Sequence, residues 1–212
     1  MDRHATIWLL RHGESTWNAT GRVQGQNATA GALSQAGERQ AVAAAEALAR
    51  RAPAASVVVT SDLGRAVQTA RIIASRLRVP VVEDPGVREQ ALGALEGRSM
   101  SRSIREALSR LWDDPSRRPE GGESVAELYA RIRGALIGIA ARWPGGEVVL
   151  VTHHGPMRVA LAACEEGITA LRRERVANAG LLCLRVGELD GAPHLARVDR
   201  LPQPPRTRPH AR

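Results

Sequence analysis

The chain is predicted to fold as an α/β protein, a three-layer α/β/α sandwich around a mainly parallel sheet. Three observations carry that prediction. Strand-like and helix-like segments alternate along most of the 212 residues. The strand-like runs are continuously apolar, as expected for strands covered on both faces. The helix-like runs place apolar residues at helical spacing between polar ones.

Residues 5–10 (ATIWLL) form the first buried strand, β-branched and bulky with no polar alternation. A Gly- and Asn-rich loop, GRVQGQNATAGA, follows, and Ser34 opens a helical run to residue 51 that Pro53 closes. SVVVTS (56–61) is the second strand. Asp62 is placed to cap the next helix, residues 63–77, which spaces Val67, Ala70, Ile73 and Ala74 along one face. VPVVED (79–84) is a short third strand. The pattern weakens from 86 to 122, with one helical piece near SIREALSRLW, so residues 98–122 are expected to form a cap or insertion. Residues 123–143 again read as a helix, with Ser124 and Glu127 as a capping box and Gly145–Gly146 as its stop. EVVLVT (147–152) is the fourth strand, and Pro156 suits the first turn of a helix through MRVALAAC. LLCLRV and LARVDRL are closing strands. Residues 1–201 are expected to make one domain, and PQPPRTRPHAR (202–212) a flexible tail.

Composition narrows the class. Hydrophobic content of 43% and charged content of 25% suit a globular protein whose core is Ala, Val and Leu, since Phe is absent and Tyr occurs once. The net charge of +8 invites a nucleic-acid reading. All 30 basic residues are Arg, however, dispersed along the chain without aromatic platforms, which argues against that function. Cys164 and Cys183 sit in apolar runs and suggest buried thiols rather than a disulfide framework or zinc site. No apolar segment is long enough to span a bilayer and no signal-peptide pattern opens the chain, so a cytoplasmic location is expected.

Polar residues at strand ends point to chemistry. Ligand sites in open α/β sheets lie beyond the carboxyl ends of strands. Two buried strands end in histidine followed within two residues by glycine, at His12–Gly13 and His153–His154–Gly155. The first also delivers Arg11, and SVVVTSDLGR delivers Arg65 just inside a helix. If these strands are neighbours, two imidazoles and two guanidiniums converge. Guanidiniums match phosphate oxygens, and a neutral imidazole is a competent nucleophile at phosphorus.

In order, LLRHGESTWN, GRVQG, TSDLGRAVQTA, VREQALGALEG, PEGGES and VLVTHHGPMR resemble the motifs of the histidine phosphatases, the phosphoglycerate mutase-like superfamily. The resemblance spans roughly residues 5–188. It implies His12 as the phosphorylated nucleophile, Arg11 and Arg65 as phosphoryl clamps, and Glu89 as proton donor. It also implies that Asn18, Gln24 and Gly25 touch substrate. Matching Gly155 to the family's glycine would make His154 the second catalytic histidine; counting back from Arg158 instead favours His153, protonated and charge-stabilising. His154 then supplies a backbone N–H and points its ring elsewhere. No metal or cofactor is implied, and the partner is a small phosphorylated metabolite bound by a monomer or homodimer. REQALGALEG is similar to phosphatase members, whereas mutases carry an ERHYG-like stretch and a longer insertion. A metal-independent, histidine acid-type phosphatase is therefore expected. Mutase-type phosphotransfer and a non-catalytic phosphate-binding module are the alternatives. Two departures stand out: the loop after Gly25 lacks the usual Asp and Pro-Leu, and Leu95 stands where Trp is common.

Overall fold

The computed structural model describes residues 4–165, 167–170, 176–189 and 192–199. Its elements follow the expected alternation. Strands β1 (Ala5–Arg11), β2 (Ala55–Thr60), β3 (Val81–Glu83), β4 (Glu147–Thr152), β5 (Leu181–Leu189) and β6 (Ala192–Asp199) form one sheet in the order β3-β2-β4-β1-β5-β6. Strands β3, β2, β4 and β1 are mutually parallel; β5 and β6 are antiparallel additions at one edge. The helices are α1 (Thr16–Ala19), α2 (Gln35–Arg51), α3 (Gly64–Leu77), α4 (Arg102–Asp113), α5 (Val125–Arg142) and α6 (His154–Ala163). The proposed tail, 202–212, lies outside the described residues.

Alternation within the strands builds two cores. Leu10, Val58, Val149 and Val151 face α2 and α3, where Ala45, Leu48, Ala66, Ala70 and Ile73 meet them. Their neighbours Leu9, Val57, Val59, Val148 and Leu150 face the other way, onto Leu128, Ile132, Leu136 and Met157 of α5 and α6. Both sheet faces are thus covered, which is why the parallel strands read as unbroken apolar runs. Each such side chain contributes about 1.5–3 kcal/mol of burial. Alanine on α2 and α3 lets those helices sit close to the sheet, so a chain without Phe still fills its interior.

The caps mostly match the sequence. Ser34 accepts from the Gly37 N–H, and Ser124 and Glu127 close a reciprocal capping box on α5. Asp62 is a correction. The N-cap of α3 is Leu63, with no side-chain cap, and Asp62 instead takes a two-pronged ion pair from Arg88. A permanently charged guanidinium with two donors outcompetes a single backbone N–H for the same carboxylate. The short helix α1, with a capping box between Ser15 and Asn18, was not legible in the loop-like composition around it. Cys183 is buried, whereas Cys164 is half-buried at the end of α6 with its thiol pushed up to about 12 by burial.

Candidate active site

Register makes the site. β1 pairs with β4 so that Arg11 faces Thr152, and the His12 N–H donates to the Thr152 carbonyl at 2.9 Å. The next residues, His12 and His153, therefore leave adjacent strands side by side. Their ring centroids lie 5.1 Å apart with planes inclined by 57°, and the two residues are 2% and 0% exposed. Strand β2 flanks β4 on its other side, so Ser61 and the first turn of α3 reach the same edge. Gly13 is required here because a Cβ would come within 2.4 Å of the Gly37 carbonyl oxygen.

The His12 ring is fixed by a 2.6 Å contact between Nδ1 and the Gly13 carbonyl. A carbonyl only accepts, so Nδ1 carries the proton and Nε2 keeps its lone pair. Burial, then Arg65 and Arg11, push the His12 pKa well below the usual imidazole range, leaving the ring neutral. His153 is displaced in the same direction by burial, Arg65, His12 and Arg11. The expectation of a protonated His153 thus conflicts with its surroundings. Adding a charge beside two guanidiniums in a water-poor site is unfavourable.

Arg65, 2% exposed, donates from Nη2 to the Gly25 carbonyl at 2.8 Å, and Arg11 donates from Nη1 to the Val176 carbonyl at 2.6 Å. Burial draws the Arg65 pKa down to about 10, opposed by the Glu89 carboxylate; it remains a cation at neutral pH. Arg65 Nε, Arg11 Nε and His153 Nδ1 are buried and meet no hydrogen-bond partner among the described residues. Buried polar atoms left this way are costly, and Arg65 and Arg11 lie near enough to both imidazoles to depress them, so the cluster suits an anion.

Glu89 is held by backbone. Its carboxylate accepts from the Gly155 N–H at 3.1 and 3.3 Å and from the Gln90 N–H at 2.9 Å. Gly155 permits this approach: a Cβ would lie 2.4 Å from Glu89 Oε1. The loop carrying Glu89 is strapped from behind by Arg131. That guanidinium donates to the carbonyls of Gly86, Arg88 and Glu89 while paired with Glu123 at 2.7 Å.

The other expected site residues have mixed placements. Gln24 accepts from the Ser15 hydroxyl at 2.8 Å, and Asn18 spends its side-chain oxygen on Ser15 and Asn178. His154 opens α6 and, half-buried, lines a cleft that Glu89 also lines. Where the loop after Gly25 lacks the usual Asp, Gln26 donates from Nε2 to the Glu89 carbonyl at 2.8 Å. Leu95 is half-buried against the core on the α5 side.

Sequence reasoning missed Ser61, whose Oγ lies 2.6 Å from His153 Nε2, and the Arg131–Glu123 strap. It missed Glu96 too, which accepts from the Gln26 and Leu92 N–H groups and so shapes the Gly25 loop. Ser61 and Glu96 lie within the quoted motifs, but only strand order and loop packing show what they touch.

Two buried neutral histidines carry a stability consequence. Their folded pKa values are depressed, so the contribution is present above the unfolded value of about 6.5 and is lost as pH falls below it. Two such groups give up to about 2.7 kcal/mol per pH unit across that window. His12→Asn is expected to reduce the slope of unfolding free energy against pH by up to half between pH 6.5 and 5, measured by urea denaturation. An unchanged slope would contradict the burial assignment.

A parallel-sheet edge with paired imidazoles, one buried and one half-buried guanidinium, and a carboxylate defines an α/β protein with an anion site built on histidine and arginine. The family model for the histidine phosphatase superfamily (branch 1) matches residues 7–198. The chain belongs to that superfamily. It is 38% identical over 184 residues to a probable phosphoglycerate mutase GpmB of Yersinia enterocolitica, covering 82% of each chain. It is 40% identical over 158 residues to a metal-independent phosphoserine phosphatase of Arabidopsis thaliana, covering 72% of this chain and 65% of that one. A mycobacterial glucosyl-3-phosphoglycerate phosphatase solved with VO3 superposes with a TM-score of 0.80 at 29% identity, over 91% and 96% of the two chains. The family and its phosphatase-named members support phosphatase activity. Among the described residues, no helix is long and apolar enough to cross a membrane.

Proposed function

We propose that this chain hydrolyses a small phosphomonoester without a metal, through a phosphohistidine on His12. The observation that carries the reading is the fixed, neutral His12 ring, its Nε2 lone pair set beside His153, the buried Arg65 and the half-buried Arg11. Nε2 attacks phosphorus in line while the bond to the alcohol oxygen breaks and Glu89 gives that oxygen its proton. Water, losing a proton to the Glu89 carboxylate, then displaces His12 and releases inorganic phosphate. Arg11 and Arg65 take the charge of the transferring oxygens, supplying what a cation would. With the Ser61 hydroxyl donating to His153 Nε2, the proton of that ring sits on Nδ1, and a neutral His153 donates it toward the phosphoryl group. The depressed His12 pKa keeps the nucleophile unprotonated well into the acid range, which fits an acid-type phosphatase.

The test is hydrolysis of p-nitrophenyl phosphate with a chelator present. Activity that persists in the wild type supports the reading; activity that the chelator abolishes would refute it. His153→Ala is expected to lose about two orders of magnitude in kcat, one donor's worth, whereas His154→Gly keeps most activity. Comparable losses from both would reverse the assignment of the second histidine. The 38% identity to a probable mutase favours a second reading, phosphotransfer between phosphoglycerates, which the interconversion of 2- and 3-phosphoglycerate would detect.

A further inference from the structure

The loop after Gly25 departs from the family pattern, and its first residue joins the two halves of the site. Gly25 belongs to the phosphoryl side: its carbonyl accepts from Arg65 Nη2 at 2.8 Å. Gln26, half-buried, reaches the other side, where its Nε2 donates to the Glu89 carbonyl at 2.8 Å across 63 positions of sequence. The Gln26 backbone N–H donates to Glu96 Oε1 at 2.9 Å, and the same oxygen accepts from the Leu92 N–H at 2.8 Å. Side chain and main chain of one residue are thus tied to the segment that carries the Glu89 carboxylate.

The amide has a single favourable orientation. Arg88 Nη1 stands 3.5 Å from Gln26 Oε1, and Arg88 is itself held by its two-pronged pair with Asp62. A carbonyl only accepts and a guanidinium only donates, so turning the amide over would set oxygen against oxygen and N–H against N–H. The Glu89 carbonyl also accepts from Arg131 Nη2 at 3.2 Å. Both of its lone pairs are therefore taken, one by the Gly25 loop and one by α5. A carboxyl whose own peptide is fixed in this way keeps a constant reach, which proton transfer to a departing oxygen demands.

Resting on the reading of Glu89 as proton donor, we infer that Gln26 is a positioning residue: by holding the Glu89 carbonyl, its side chain fixes the proton donor at a set distance from the Arg65 clamp. It acts through the Glu89 main chain, while the backbone bonds of Gly25 and Gln26 keep the phosphoryl side in place.

Gln26→Met keeps the length of the side chain and removes its donor. In single turnovers of ethyl phosphate, phosphohistidine formation is expected to slow about tenfold, the worth of one hydrogen bond. With p-nitrophenyl phosphate, which needs little proton delivery, that step should stay within about twofold of wild type, and so should competitive inhibition by inorganic phosphate. A double-mutant cycle separates positioning from a general structural role. In the Glu89→Gln background, Gln26→Met should cost the ethyl phosphate reaction no further factor, because no proton is left to position. Gln26→Glu has the same shape but cannot donate when ionised, and it should show the same selectivity, so the result does not hang on one variant's folding. Equal slowing of both substrates, weakened inhibition by phosphate, a cost that persists in the Glu89→Gln background, or no effect of either substitution would each overturn the role of Gln26 while hydrolysis itself stands. If Glu89→Gln slows ethyl phosphate no more than p-nitrophenyl phosphate, the proton-donor reading fails and the role of Gln26 with it.

Discussion

Alanine in place of His12 is expected to lower kcat by at least about 10⁴-fold, because removing the proposed nucleophile ends the proposed covalent route instead of weakening it. His153 is next to it, but its Nε2 is engaged by Ser61. The loss should not come from unfolding, since the alanine variant no longer holds a buried imidazole that resists protonation. Thermal stability measured at pH 6 separates the two causes. Exogenous imidazole, small enough to enter the space left by the ring, should restore part of the turnover. Wild-type protein given a ³²P-labelled monoester and quenched in alkali should retain label, and the alanine variant should not. Retention of label by the variant would place the nucleophile elsewhere.

Glu89→Gln should give the second-largest effect, and one that depends on the leaving group. The glutamine oxygen can still accept from the Gly155 and Gln90 N–H groups, so the loop keeps its anchor while the proton is lost. General acid catalysis contributes about 10²–10⁴-fold when the departing oxygen is strongly basic. Alkyl phosphates should therefore slow by that factor in the phosphohistidine-forming step, followed by single-turnover kinetics. p-Nitrophenyl phosphate, whose leaving group needs little help, should slow far less in that step. Uniform slowing across both substrates would mean that Glu89 positions rather than protonates. Replacing Arg131, whose donors hold the carbonyls of Gly86, Arg88 and Glu89, should imitate the alkyl-selective defect in weaker form.

Much of the fold was legible in the chain. Unbroken apolar runs at β1, β2 and β4 signalled strands covered on both faces, and Ser34 and Ser124 marked helix starts through local hydrogen bonds that the sequence alone can specify. The short helix α1 and the fate of Asp62 were not legible. Both depend on competition: Asn18 and Ser15 cap one another in a stretch of turn-forming residues, and Asp62 answers to an arginine 26 positions away.

By itself, the sequence determined which chemical groups the protein owns and where along each strand they emerge: Arg11–His12 after one apolar run, His153 after another, Arg65 at the head of a helix. Period-two patterning, capping side chains and glycines act over a few residues, so a linear reading captures them. Tertiary structure set His153, the histidine that the motif count favours, against His12, and it alone showed that Ser61 holds the His153 ring. It also placed Arg131 behind the Glu89 loop. The grouping of His12, His153 and Ser61 follows from strand order, and strand order brings together residues more than ninety positions apart, such as Ser61 and His153. It is set by how whole faces bury against one another, a property of the assembled core that no local stretch encodes.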